Sequence, residues 1–225
     1  TRIAQEHALM ELYIDTANLD EIKEAAALGV LDGVTTNPSL IAKEKGVSYH
    51  KRLTEICEVV KGPVSGEVIS TDYAGMMKEA DELIKIAKNI VVKLPTTVDG
   101  LKACKALSDR GVRTNMTLVF QPLQALMVAK AGAFLVSPFV GRLDDVGEDG
   151  MTVIHQIRQL YDNYGFKTKV LAASLRHNKH MVDCALAGAD VATAPLSVIK
   201  AMLNHPLTDS GLKKFVEDYK KAFGG

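Results

Sequence analysis

A lysine interrupts an apolar, β-branched run at Ile90-Val91-Val92-Lys93-Leu94-Pro95. In a strand buried on both faces such an amine is costly, and an amine taken out of water favours the neutral form that attacks a ketone and gives a Schiff base. The plainer reading is a lysine that reaches solvent from a strand end or pairs with a carboxylate. Its company favours chemistry. Asp15 ends the run Leu12-Tyr13-Ile14-Asp15, and Glu67 lies in Val64-Ser65-Gly66-Glu67. A carboxylate near an iminium can move the protons that carbinolamine formation and dehydration require. Thr35-Thr36-Asn37-Pro38, Asn115 and Thr117, Ser137 with Phe139, and Ser174 place further polar groups at the ends of similar runs. Arg142 and Arg176 follow two of them, and the planar fork of guanidinium donors suits a phosphate. An ion pair with Asp144 or Asp145 would account for Arg142 alone, but less readily for two arginines each preceded by a serine.

These residues need elements to position them. Short β-branched runs alternate with stretches of helical period, the βα signature of a parallel sheet. Strands are expected at 12–15, 33–36, 64–69, 90–94, 113–119, 134–140, 169–174 and 190–194. Helices are expected at 19–28, 48–60, 72–88, 98–109, 122–131, 149–164 and 177–187, each followed by a glycine or, after 88, by Asn89. Eight such units without a linker fit a single (β/α)8 TIM barrel better than an open sheet. A short helix at 196–203 and an extra C-terminal helix at 208–222 follow. The apolar positions of the latter, Leu212, Phe215, Val216 and Tyr219, have helical spacing, so it packs either on its own barrel or on a neighbouring subunit. The domain is read as 10–225, with residues 1–9, ahead of Met10, as a vector-derived leader.

In such a barrel functional residues stand at the C-terminal ends of strands. Residues two apart share a face. Ser65 with Glu67, Asn115 with Thr117, Ser137 with Phe139, and Ser174 with Arg176 are therefore expected to converge on the mouth, while Gly66, Met116, Pro138 and Leu175 face the helices.

Other chemistries lack support. His177 and His180 start a helix with only Asp183 or Cys184 as further ligands, so a solvated or capping role is expected and no metal site. There is no GxGxxG, no GxxxxGK[ST] and no Gly-x-Ser-x-Gly elbow. Cys57, Cys104 and Cys184 form no CxxC pair and read as buried or idle thiols in a reducing compartment. Lys+Arg and Asp+Glu both number 27, which argues against nucleic acid or an anionic membrane surface as partner. With no apolar run long enough to span a bilayer, a cytoplasmic location is the expectation.

From about Met10 to the C-terminal helix the chain resembles the transaldolases, specifically the small single-barrel branch that includes the fructose-6-phosphate aldolases. The resemblance rests on LYID15TAN, GVTTN37PSL, VSGE67V, VVK93LP, TN115MT117L, VS137PFVGR142LDD and AAS174LR176, in that order. It implies Lys93 as the Schiff-base nucleophile, Glu67 as acid/base through a water shared with Thr117, and Asp15 as proton acceptor in aldol cleavage. It implies Asn37 and Asn115 on the dihydroxyacetone hydroxyls, Ser137, Phe139 and Ser174 nearby, and Arg142 and Arg176 on phosphate. The implied reaction moves a dihydroxyacetone unit from sedoheptulose 7-phosphate to glyceraldehyde 3-phosphate, with no metal or organic cofactor. The alternative it implies is an aldolase that releases dihydroxyacetone; those enzymes carry glutamine and tyrosine where this sequence has Glu67 and Phe139. Phe120-Gln121-Pro122 departs from the smaller residues of many relatives. A pentamer or decamer is the implied homo-oligomer. A sugar-phosphate binder without catalysis is a further alternative, though binding alone needs no buried amine.

Overall fold

The computed structural model describes residues 9–224, so the leader reading of residues 1–9 lies, Leu9 apart, outside the described residues. Eight parallel strands form a closed barrel in sequence order. The chain begins β1 (Glu11–Asp15), α1 (Leu19–Ala27), β2 (Gly33–Thr35), α2 (Pro38–Ile41), α3 (Tyr49–Val59), β3 (Val64–Glu67), α4 (Tyr73–Leu83) and β4 (Ile90–Pro95). It continues α5 (Val98–Asp109), β5 (Thr114–Val119), α6 (Pro122–Lys130), β6 (Leu135–Pro138), α7 (Val140–Asp145), α8 (Gly150–Tyr164) and β7 (Lys169–Ala172). Last come α9 (Asn178–Leu186), β8 (Val191–Ala194), α10 (Leu196–Ala201) and α11 (Pro206–Phe223).

The strand alternation sorts side chains into two environments. Ile14, Val34, Val64, Val92, Met116, Val136, Val170 and Ala192 belong to the apolar layer shared with the helices. Tyr13, Val91, Leu135, Leu171 and Val191 form a separate apolar cluster inside the barrel. This plug needs Gly33, because a Cβ there would lie 2.7 Å from the Tyr13 ring and 2.8 Å from the Pro63 carbonyl oxygen. One step further along the strands the inward positions turn polar: Asp15, Thr35, Ser65, Lys93, Asn115, Ser137 and Thr193. Register sets them side by side, with Asp15 opposite Thr35, Thr35 opposite Ser65, Glu67 opposite Lys93 and Lys93 opposite Asn115.

Several boundaries differ from expectation, for physical reasons. Strands β2, β3, β6 and β7 end earlier than expected because the chain leaves the sheet into the mouth loops. Two short helices, α2 and α7, were not expected. Asn37 caps α2, its side chain accepting from the Leu40 N–H, with proline in the first turn. Helix α4 stops at Leu83 rather than 88, and Asn89 donates its amide to the Val60 and Gly62 carbonyls, leading the chain into β4. Helix α11 buries none of its residues. Leu207, Leu212, Phe215, Val216, Tyr219 and Phe223 are all exposed, so of its two expected placements the one against its own barrel is not adopted.

Candidate active site

Lys93 is held at the centre of the mouth and is only 5% exposed. Its Nζ lies 3.0 Å from Glu67 Oε2 and donates to the Thr36 carbonyl oxygen at 2.9 Å. The pairing of β3 with β4 brings the two side chains together, since Glu67 is the register partner of Lys93. A carboxylate at this distance is placed to take a proton from the amine and return it. The end of β3 is itself pinned, because the Tyr49 hydroxyl donates to the Glu67 backbone oxygen at 2.5 Å.

Asp15 lines the same mouth from β1. It accepts from the Thr35 hydroxyl at 2.7 Å, and Thr35 and Thr193 share a hydrogen bond of 2.6 Å. Burial pushes the Asp15 carboxyl above the ordinary aspartate range, against the pull of Lys93 and of the Thr35 hydrogen bond. The Asn115 amide donates to Ser65 Oγ at 3.1 Å, and Ser137 Oγ donates to Asn115 Oδ1 at 2.6 Å. These two contacts fix the orientation of Asn115 across three strands.

The mouth encloses a cavity of about 120 Å³, room for a fragment of a few heavy atoms. Asp15, Thr35, Lys93, Ser137 and Thr193 line it from the strands, with Asn37, Phe139, Arg142 and Ser174 at its rim. The Arg142 guanidinium lies 5.0 Å from the centre of the Phe139 ring, which Phe120 meets edge-on at 5.7 Å. Phe120 is thus part of the aromatic wall beside Arg142.

Two expected positions are realised differently. Ser174 reaches the cavity, but not by strand parity: β7 ends at Ala172, Ala173 takes the inward position, and Ser174 turns into the mouth with φ 59°. Arg176 is absent from the cavity lining; its guanidinium makes a two-pronged ion pair with Asp145. Asp145, which the plainer reading offered to Arg142, thus pairs with Arg176. Thr117 is buried, and its hydroxyl has no protein partner; Glu67 meets Lys93 directly. Next to it Leu118 has φ 61° and the β5–β6 register shifts. Sequence reasoning did not single out Thr193, although it shares inward parity with Val191, nor Tyr49, which no strand pattern marks. His177 caps α9 by accepting from the His180 N–H, in line with the capping expectation.

The transaldolase/fructose-6-phosphate aldolase family model matches residues 12–224. A protein of Desulfosudis oleivorans named probable transaldolase is 59% identical, covering 95% of this chain and 99% of its own length. Proteins of the same name from Bacteroides fragilis and Bacillus cereus are 61% and 58% identical, each covering 94% of this chain and 99% and 98% of their own. By the extent of these matches and the order of its site residues, the chain belongs to the transaldolase/fructose-6-phosphate aldolase family.

Proposed function

We infer that the chain is a transaldolase that carries a dihydroxyacetone unit between sugar phosphates on Lys93. The observation that carries this reading is the buried Lys93 amine 3.0 Å from Glu67, in a mouth shared with Asp15. With its proton passed to Glu67, the amine adds to the ketose C2 carbonyl; the carbinolamine then loses its oxygen as water, leaving an iminium. Asp15 takes the proton of the C4 hydroxyl, the C3–C4 bond breaks into the iminium, and an aldose phosphate departs, leaving a three-carbon enamine. The enamine carbon adds to an incoming aldehyde, Asp15 returns the proton to the new hydroxyl, and water releases the product ketose.

The small cavity fits the three-carbon unit, with Asn37, Asn115, Ser137 and Ser174 as hydroxyl partners. Asn37 Oδ1 is committed to the Leu40 N–H, which leaves its NH₂ group to the ligand. Thr117, with its unpartnered hydroxyl, fits the role of holding the water exchanged with Glu67. Arg142 and Arg176 serve the phosphate, Arg176 exchanging Asp145 for it. Phe139 offers no hydroxyl to the enamine, and Glu67 is a carboxylate rather than an amide, which supports transfer over release of dihydroxyacetone. The six exposed apolar side chains of α11 support a homo-oligomer in which this helix docks on another copy.

Incubation with fructose 6-phosphate and borohydride, read by mass spectrometry, is expected to leave a reduced three-carbon adduct on Lys93 and none in Lys93→Ala. An active Lys93→Ala variant would sink the mechanism. In the same preparation without an acceptor aldehyde, free dihydroxyacetone is expected only in traces; rapid stoichiometric release would mark an aldolase instead.

A further inference from the structure

The two segments that carry the arginines are joined by one histidine. His180, on α9, is buried. Its Nε2 lies 3.0 Å from Asp144 Oδ2, and its Nδ1 accepts from the Arg176 backbone N–H at 3.2 Å. Asp144 sits on α7 two residues after Arg142, and its other oxygen accepts the Gly150 N–H at the start of α8 at 3.0 Å. An Nδ1 that accepts must carry its lone pair, so the hydrogen is on Nε2 and points at Asp144. Burial and the neighbouring His177 ring hold the His180 imidazole below its ordinary pKa, against the pull of Asp144 and Asp183, which keeps this neutral tautomer in place.

The segment so held needs holding. Ser174 has φ 59° without being glycine, and such a conformation persists where surrounding contacts impose it. Gly141, beside Arg142, donates its N–H to the Ser174 carbonyl at 3.1 Å. A Cβ at Gly141 would lie 2.4 Å from that oxygen and 2.7 Å from Arg176 Nε, so α7 and the Ser174–Arg176 turn are packed as closely as backbone allows. The turn is thus tied to α7 at its start by Gly141 and at its end by the relay from Arg176 N–H through His180 to Asp144.

We propose that His180 is a positioning residue for the phosphate end of the substrate: it sets the spacing between Arg142 and Arg176 by bridging Asp144 to the Arg176 backbone. This rests on the reading of the two arginines as the phosphate partners. It touches neither Lys93 nor the three-carbon unit, so its loss acts on recognition of phosphate and not on Schiff-base chemistry.

Asparagine can stand in for the accepting Nδ1, and glutamine for the donating Nε2, which separates the two halves of the relay. The experiment compares KM for fructose 6-phosphate with borohydride trapping of free, unphosphorylated dihydroxyacetone on Lys93. The enzymes are wild type, His180→Gln, His180→Asn and Arg176→Gln. His180→Gln and His180→Asn each break one half of the bridge and are each expected to raise KM roughly tenfold with trapping unchanged, and Arg176→Gln to show the same split. Normal trapping also shows that each variant is folded. Wild-type KM in His180→Gln, or a fall in trapping parallel to the loss on fructose 6-phosphate, overturns the positioning role while Arg176→Gln still shows the split. No split in Arg176→Gln overturns the phosphate assignment itself, and the inference with it.

Discussion

Burial opposes a charge on the Asp15 carboxyl. It is a buried carboxyl whose hydrogen bond from Thr35 and attraction to Lys93 do not offset the loss of water, so its proton affinity is raised by folding. Between the ordinary aspartate range and this raised value the native state binds more proton than the unfolded chain. The group's contribution to stability therefore falls as pH rises through that window and stays lower above it. Asp15→Asn keeps the acceptor for Thr35 and removes the charge. It is expected to abolish aldol cleavage while raising Tm relative to wild type, by an increment that is smallest near pH 4 and grows as pH rises. Thermal melts from pH 4 to 8 measure this, and a pH-independent increment would show that the fold does not oppose the charge. A destabilising charge at the proposed proton acceptor would be the usual exchange of stability for activity.

At the scale of the elements, the inner plug and the mouth are separate layers of the same strands. Gly33→Ala forces a methyl group against the Tyr13 ring and the Pro63 carbonyl, a form of overpacking that costs about 1–3 kcal/mol. Denaturant titration is expected to show that loss with an unchanged slope, while borohydride trapping on Lys93 stays near wild type because the strain lies below the polar layer; lost trapping in a still-folded variant would contradict this separation. The same layering explains what could be read in the sequence. Lys93, Glu67, Asp15, Asn115 and Ser137 were legible because each sits on a regular strand, where a period of two assigns the face. The way Ser174 enters the mouth, the placement of Arg176 and the turn at Leu118 were not, because left-handed residues break the period and nothing in a single sequence marks a non-glycine residue as left-handed. The short helices α2 and α7 escaped for another reason: four and six residues hold too few apolar positions to show a helical period.

For the whole molecule, the zero net charge says little about the mouth, where Arg142, Lys93 and Asp15 sit within one cavity lining. It does bear on association, since a neutral particle meets a copy of itself without net repulsion. Helix α11 is where such contact is expected. Its 18 residues bury nothing, yet Leu212, Phe215, Val216, Tyr219 and Phe223 recur at helical spacing along one side. A helix of this length gains most of its stability from packing of its apolar face, not from propensity, and its own barrel does not supply that packing. Placing charge on that face, as in the double variant Leu212→Glu/Phe215→Glu, leaves the buried core of the barrel untouched, since both side chains are exposed. Light scattering is expected to show the particle mass falling towards that of a single chain, with borohydride trapping on Lys93 retained because the mouth is built within one barrel. An unchanged mass would remove α11 from the assembly contacts, and lost trapping at the lower mass would mean that a neighbouring copy completes the site.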